Sequence, residues 1–474
     1  RGPAELESEI QGLGRRIDDL EDLGDEQPLT LEQETHLVRC RERLFQAEQG
    51  RDELSNLREE EPALVAEATS IASRLAARAV YRFDLGSDAL RHDRLQALIR
   101  GLERLSGPED STHVTIAGVR AARTAARARA AKMAGEDAAA WRVCLADVAR
   151  DDSPYAGLAL SPIPGLSPLG VDRDTDLWEF WHVASGLRPA WEGLPTGKGR
   201  VVLDETRGQE GIVLVLIPGG TFAMGARHSE NDHPVGEALV DHTGLAEEMP
   251  SHPVTLDAFF LAKFEVTQGQ WARQQAVNPS FTPSGKTSPT GKPMTDRHPV
   301  SRVLFSEARD FCRDFDLELP TEAQWEYAYR AGTRTRFPSG NDMRSLLGRE
   351  NFSNGQFLPE EPAVELVDPV HDEHFDVTAV GIFLPNGFGL HDMGGNLAEW
   401  CLDPFHAYHE YAPRPGDGLR GWLPGGDERT SRPASWVVPS FYCRSSARLR
   451  VNANHRGPAT GFRVARALRA SLMR

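Results

Sequence analysis

Residues 385–400 read Pro-Asn-Gly-Phe-Gly-Leu-His-Asp-Met-Gly-Gly-Asn-Leu-Ala-Glu-Trp, and the fold turns on how this stretch is read. Gly387, Gly389, Gly394 and Gly395 permit backbone geometries that other residues resist. Asp392 and Glu399 place oxygen donors on either side of a turn, the pattern a hard cation such as Ca2+ prefers. Trp400 supplies a large apolar anchor that pins such a turn to a core. Alone, the segment reads equally well as a buried turn or as a ligand loop, so its companions decide.

Working outward, residues 212–225 (Ile-Val-Leu-Val-Leu-Ile-Pro-Gly-Gly-Thr-Phe-Ala-Met-Gly) predict a buried strand followed by a glycine turn. Across 252–271 a β pattern ends at Thr267, which caps a helix starting at Gln268. His298-Pro299-Val300 leads to a helix at 306–315. Residues 319–328, Leu-Pro-Thr-Glu-Ala-Gln-Trp-Glu-Tyr-Ala, open another, with Thr321 as N-cap and Gln324 as its capping-box partner. Gly461-Phe462-Arg463-Val464-Ala465-Arg466 closes the pattern.

Upstream the character differs. Leu6, Ile10, Leu13, Ile17 and Leu20 form a short heptad seam, broken by Gly24 and Pro28. Thr30 caps a second helix carrying Leu37, Cys40, Leu44, Ala47, Leu54 and Leu57. The pair predicts a helical hairpin or a coiled coil, and with it self-association through these helices as an open alternative. Residues 63–150 stay rich in Ala, Arg and Leu; Arg123, Arg127 and Arg129 lie on a solvated face between acidic segments. From 155 to 200, Pro162, Pro164, Pro168 and many glycines indicate extended chain, with Leu177–Val183 as a short strand of alternating bulk.

The 474 residues are too many for one small core, and a net charge of -17 excludes a general nucleic-acid binder, which needs a basic face. The five cysteines (Cys40, Cys144, Cys312, Cys401, Cys443) lie far apart with no CxxC, which argues against a zinc site or a disulfide scaffold. No apolar run approaches the roughly 18–20 residues of a bilayer span. The chain starts at Arg1, without Met and inside a charged helical pattern, and so reads as a fragment or processed product. The cysteines leave the compartment open.

In order and spacing, the segments from about 205 to 470 resemble the formylglycine-generating enzyme, or sulfatase-modifying-factor, family. The resemblance implies an irregular α+β fold related to C-type lectins. The expected organisation is 1–60 as helical hairpin or coiled coil, 61–154 as helical connecting region, 155–204 as extended linker packing on the next domain, and 205–474 as the family-like domain. Trp178-Glu179-Phe180-Trp181-His182 and the helices before it look like the stretch joining a bacterial serine/threonine kinase to such a domain. No kinase motif stands in this chain: there is no glycine-rich phosphate loop, His-Arg-Asp or Asp-Phe-Gly.

The family oxidase holds Cu(I) on two cysteines five apart, after an Arg-Gly-Gly-Ser-aromatic turn; soft sulfur suits that ion. Here the turn is Arg432-Pro433-Ala434-Ser435-Trp436, and the two cysteine positions fall on Val437 and Tyr442. No second cysteine stands five positions from the neighbouring Cys443, so copper is not expected and no catalytic residue is assigned. The histidine triad of the iron-dependent sulfoxide synthases is not matched by His36, His92 and His113, which lack a His-x3-His spacing. His371-Asp372-Glu373-His374 reads as part of a calcium-type loop and His406/His409 as a solvated pair.

Structural Ca2+ is the cofactor the resemblance implies. One site maps to Asp392, Gly395, Leu397 and Glu399 and the other to Asn351, Phe352, Asp372 and His374; Phe352, His374, Gly395 and Leu397 give main-chain oxygens. In this fold residues 435–463 border the ligand groove. Val437, Val438, Ser440, Phe441, Tyr442, Leu449, Val451, Asn452, Asn454 and His455 are the expected binding residues, for a protein or a small molecule. The alternation of fixed and unusual positions also resembles proteins diversified by retroelements. The expected function is a non-oxidase binding module, either a diversified binder or the sensor region of a kinase. The alternative is a formylglycine-generating or related metal-dependent oxidase acting on protein cysteine.

Overall fold

The computed structural model describes residues 137–204, 208–227, 238–241, 243–275, 277–353, 372, 374–421 and 427–468. The expected helices of 1–60, and those of the connecting region before residue 137, lie outside the described residues.

The chain enters through helix α1 (Ala138–Val148), whose Trp141, Cys144 and Val148 are buried. Four strands follow: β1 (Leu166–Asp172), β2 (Trp178–His182), β3 (Ala190–Gly193) and β4 (Lys198–Val202). Then come β5 (Val213–Ile217), β6 (Gly220–Met224), β7 (His252–Leu256) and β8 (Phe259–Ala262). Three helices, α2 (Gln268–Trp271), α3 (Phe305–Asp314) and α4 (Glu322–Arg330), precede β9 (Ala398–Pro404), β10 (Glu428–Arg432), β11 (Leu449–Asn452), β12 (Thr460–Gly461) and β13 (Ala465–Ala467).

A seven-stranded sheet runs in the order β13-β8-β5-β2-β1-β4-β3, a four-stranded sheet in the order β11-β10-β9-β12, and β6 pairs with β7. The segment 155–204, expected as extended linker, therefore supplies four strands of the larger sheet. Its extended character follows from the prolines. Its place in the sheet follows from β2, in which all five residues are buried rather than alternating. On one face Phe180 packs on Trp141 of α1 at 5.5 Å and on Phe260 of β8 at 5.1 Å. On the other, buried Glu179 accepts from the Lys263 ammonium, so both faces of β2 are covered. β5, Val-Leu-Val-Leu-Ile, is likewise buried throughout; each such side chain contributes about 1.5–3 kcal/mol. Gly170 marks a bulge in β1, where an added Cβ would meet the Trp191 ring at 2.6 Å.

Helix starts fall where capping chemistry places them. Thr267 accepts from Gln270 N and Thr321 from Gln324 N, and both glutamines return the bond to the cap backbone. The predicted helix at 306–315 is observed as Phe305–Asp314.

At the end of β2, His182 is buried with Nε2 3.0 Å from the Phe315 carbonyl. Burial and the nearby Arg466 push it down from 6.5 to about 4. A depressed histidine contributes stability that is full above its unfolded pKa and lost as pH falls through its folded one. Wild type is therefore expected to lose stability relative to His182→Gln, which keeps a donor for Phe315, as pH falls from 6.5 to about 4. Urea titrations of both proteins across that window check this.

Candidate functional site

The turn after residue 390 is built around Asn396, which adopts a left-handed backbone (φ 63°). Its side chain accepts from Thr378 N (2.9 Å) and donates to Glu265 Oε2 (2.7 Å), while its main-chain N donates to the Asn351 carbonyl (2.8 Å). Leu397 N donates to Glu265 Oε1 at 2.9 Å. Sequence reasoning missed Glu265 and Asn396. The signal for Glu265 is a carboxylate set inside the apolar run Phe264-Glu265-Val266, which needs a partner if the run is buried.

Glu399 is fully engaged. Arg463 reaches it at 2.7–2.9 Å and Trp325 Nε1 donates to Oε2 at 2.7 Å. Its oxygens serve an ion pair, so Glu399 does not fit as a metal ligand here. Asp392 differs: Oδ2 accepts from Gly381 N at 2.8 Å, but Oδ1 is buried with no hydrogen-bond partner. Burial pushes Asp392 up to about 6. Glu350, which accepts from Gly394 N at 2.9 Å, is pushed up to about 8 by burial and by Asp392. Burial, with Asp392 and Glu399, also raises Glu265 well above the carboxylate range. Three buried carboxyls thus lie near a guanidinium already paired with Glu399, an arrangement that favours protonation or an added cation.

In the second predicted set, Asn351 is fully buried and its Oδ1 has no partner. The Asp372 carboxylate accepts from Phe352 N at 2.7 Å and His374 N at 2.9 Å, closing a turn. The His374 ring stands 5.0 Å from Phe383. His371 and Glu373 lie outside the described residues. Among the described residues no group of three or more His, Cys, Asp or Glu side chains is arranged to hold a metal. A hard cation has an unsatisfied side-chain oxygen to meet at Asp392 and at Asn351.

The predicted binding residues divide between a turn and a ribbon. In the turn, Val437 packs against Leu397, Trp436 and Ala459, and the Val438 carbonyl accepts from Ser353 N at 2.8 Å. Ser440 is buried with Oγ 3.1 Å from Met343 Sδ, a core role rather than a contact surface. Phe441 and Tyr442 are half-buried and meet edge to face at 5.1 Å. On the ribbon Leu449 is 45% exposed and Val451 packs on the main core. Asn452, Asn454 and His455 are exposed.

Both parts stand on buried ion pairs. Arg432 donates to the carbonyls of Ser445 and Ala447, each at 3.0 Å, and to Glu326 at 3.0 Å. Arg448 holds Glu322 through two bonds of 2.6 and 2.7 Å. Arg444 pairs with Glu248 at 2.6 Å and with Asp241 at 3.1 Å. These arginines tie 443–448 to α4 and to the 241–248 segment. Cys443 is buried with Phe337, Leu346, Phe352 and Ala434. No disulfide forms among the described residues.

The model of the sulfatase-modifying factor enzyme 1-like domain matches residues 202–468, and the chain belongs to this family. The formylglycine-generating enzyme of Streptomyces coelicolor is 29% identical over 298 residues, 55% of this chain and 89% of that one. The serine/threonine-protein kinase pkn1 of Chlamydia pneumoniae is 27% identical over 270 residues, 53% of this chain but 38% of the kinase. Among solved structures, Treponema denticola variable protein 1 aligns with a TM-score of 0.41 at 23% identity, over 55% of this chain and 97% of that one.

Proposed function

We propose that this domain is a non-oxidase binding module for a protein or small-molecule ligand, presented by residues 437–455 on a rigid family scaffold. One observation carries the reading: next to Val437 and Tyr442, the positions the family resemblance assigns to copper, Cys443 is enclosed in an apolar cluster of Phe337, Leu346, Phe352 and Ala434 that holds no second cysteine. One thiolate does not supply the two that Cu(I) needs here. The buried arginines under 443–448 support the same reading, because they hold the surface still and lower the ordering cost of binding. A diversified binder and the sensor end of a kinase are the two forms this reading takes.

The second reading is oxidation of protein cysteine, favoured by the likeness to the Streptomyces enzyme over 89% of its length. Incubating the protein with a cysteine-bearing peptide, copper and oxygen, followed by mass spectrometry, separates the two. An unchanged peptide is expected, and a formylglycine product overturns the binding reading.

Calcium accompanies this proposal, with Asp392 and Asn351 offering the oxygens. After EDTA treatment, added Ca2+ is expected to raise the melting temperature. The increment corresponds to about 2.7 kcal/mol at a hundredfold excess over Kd. Asp392→Ala should reduce the response, and adding Asn351→Ala should abolish it, as read by differential scanning calorimetry.

A further inference from the structure

The ribbon at 449–452 is an outer edge. Among the described residues β11 pairs only with β10, in the order β11-β10-β9-β12. Its register opposes Glu428 to Asn452, Arg429 to Val451, Thr430 to Arg450 and Ser431 to Leu449. The bond from Ala453 N to the Asp427 carbonyl (2.6 Å) sets the phase of this ladder. Hydrogen-bonded pairs alternate with non-bonded ones in an antiparallel ladder. Leu449 and Val451 therefore turn their backbone groups to β10, and Arg450 and Asn452 turn theirs outward. The Asn452 carbonyl is taken by His455 N at 2.8 Å. Among the described residues, the N–H and C=O of Arg450 and the N–H of Asn452 remain for an outside partner.

Side chains on this edge fit a particular occupant. Arg450 is exposed, its guanidinium lies 4.9 Å from the Phe405 ring centroid, and it has no ion pair among the described residues. It is a fixed, uncompensated cation on a chain of net charge -17. Leu449, on the opposite face of the strand, is 45% exposed. We infer that β11 takes an extended peptide as an added strand, with an acidic residue opposite Arg450 and apolar residues opposite Leu449 and Val451. The inference rests on the binding reading above and names the ligand class for part of that surface. Main-chain bonds supply affinity in such an addition and alternate side chains supply selectivity. A second copy of this chain fits less well. Antiparallel self-pairing centred on Arg450, the residue whose N–H and C=O both face outward, sets the two Arg450 side chains opposite each other, and like charges across strands are destabilising.

The test pans a phage-displayed random peptide library against the full chain and measures the synthesised winners by calorimetry. Enriched peptides are expected to share an apolar–acidic–apolar core. Arg450→Pro removes an outward N–H at an edge position where proline is tolerated. It should weaken binding about tenfold or more while circular dichroism stays unchanged. N-methylation of alternate peptide positions should weaken binding similarly, and Arg450→Glu should reverse the charge preference. Peptides bound equally by wild type and Arg450→Pro, or no enriched peptide, overturn the inference. So does a dimer in sedimentation that Arg450→Pro dissociates. Peptides lost in Phe441→Ala but not in Arg450→Pro leave the binding reading standing while removing strand addition. Formylglycine production would strike the reading itself.

Discussion

Arg463→Ala is expected to cost about 3–5 kcal/mol of unfolding free energy, the range for removing one partner of a buried ion pair. The guanidinium is fully buried and donates to Glu399, to the Ala262 carbonyl at 3.1 Å and to the His391 carbonyl at 2.9 Å. It thus joins β8, the 385–400 turn and β9 in one contact. Without it, Glu399 keeps, among the described residues, only the Trp325 indole, and the buried carboxyls Glu265 and Asp392 lose their nearby cation. Arg463→Lys should recover little, because an ammonium cannot reproduce the fork. Urea denaturation reads the effect. A loss below about 1 kcal/mol, the value of a surface pair, would show that the pair is not what holds the turn.

Gly395→Ala is expected to be nearly as damaging. An added Cβ would lie 2.5 Å from the Asn351 carbonyl oxygen and 2.6 Å from its nitrogen. These are backbone atoms held by the bond from Asn396 N, so neither can step aside. Overpacking of this kind costs about 1–3 kcal/mol, and more where the neighbour is rigid. Gly285→Ala is the complementary case: φ is +80° there, but nothing lies within 4 Å of the added carbon. Its loss should be only the strain of a left-handed alanine, about 1–2 kcal/mol. Gly395 is not among the glycines of positive φ, so melting curves of the two variants separate crowding from backbone conformation.

Local signals carry much of the fold. Thr267 and Thr321 announce their helices because capping is settled within four residues. The apolar run Ile212–Ile217 is equally local: it predicts β5 because a continuous apolar stretch needs two covered faces. β2 is legible as a strand, but its burial on both faces is not, since that depends on α1, β8 and Lys263, brought together only by the fold. The same limit applies to the site. Asp392 and Glu399 stand out in the turn, yet Arg463 closes on Glu399 from 64 positions away and leaves Asp392 with the open oxygen. Glu265, which bonds Leu397 N across 132 positions, carries only the faint mark of a charge in an apolar run. The outward edge of β11 requires knowing the phase of its ladder, which no single strand reveals.

The strands at 166–202 have a practical bearing on how this protein is handled in the laboratory. A gene trimmed to begin at residue 205 would encode β5 without its β2 neighbour. The freed margin of Val-Leu-Val-Leu-Ile would be a greasy, unguarded template for intermolecular stacking. Such a shortened product should collect as insoluble material, while one retaining α1 and everything after it keeps that seam closed.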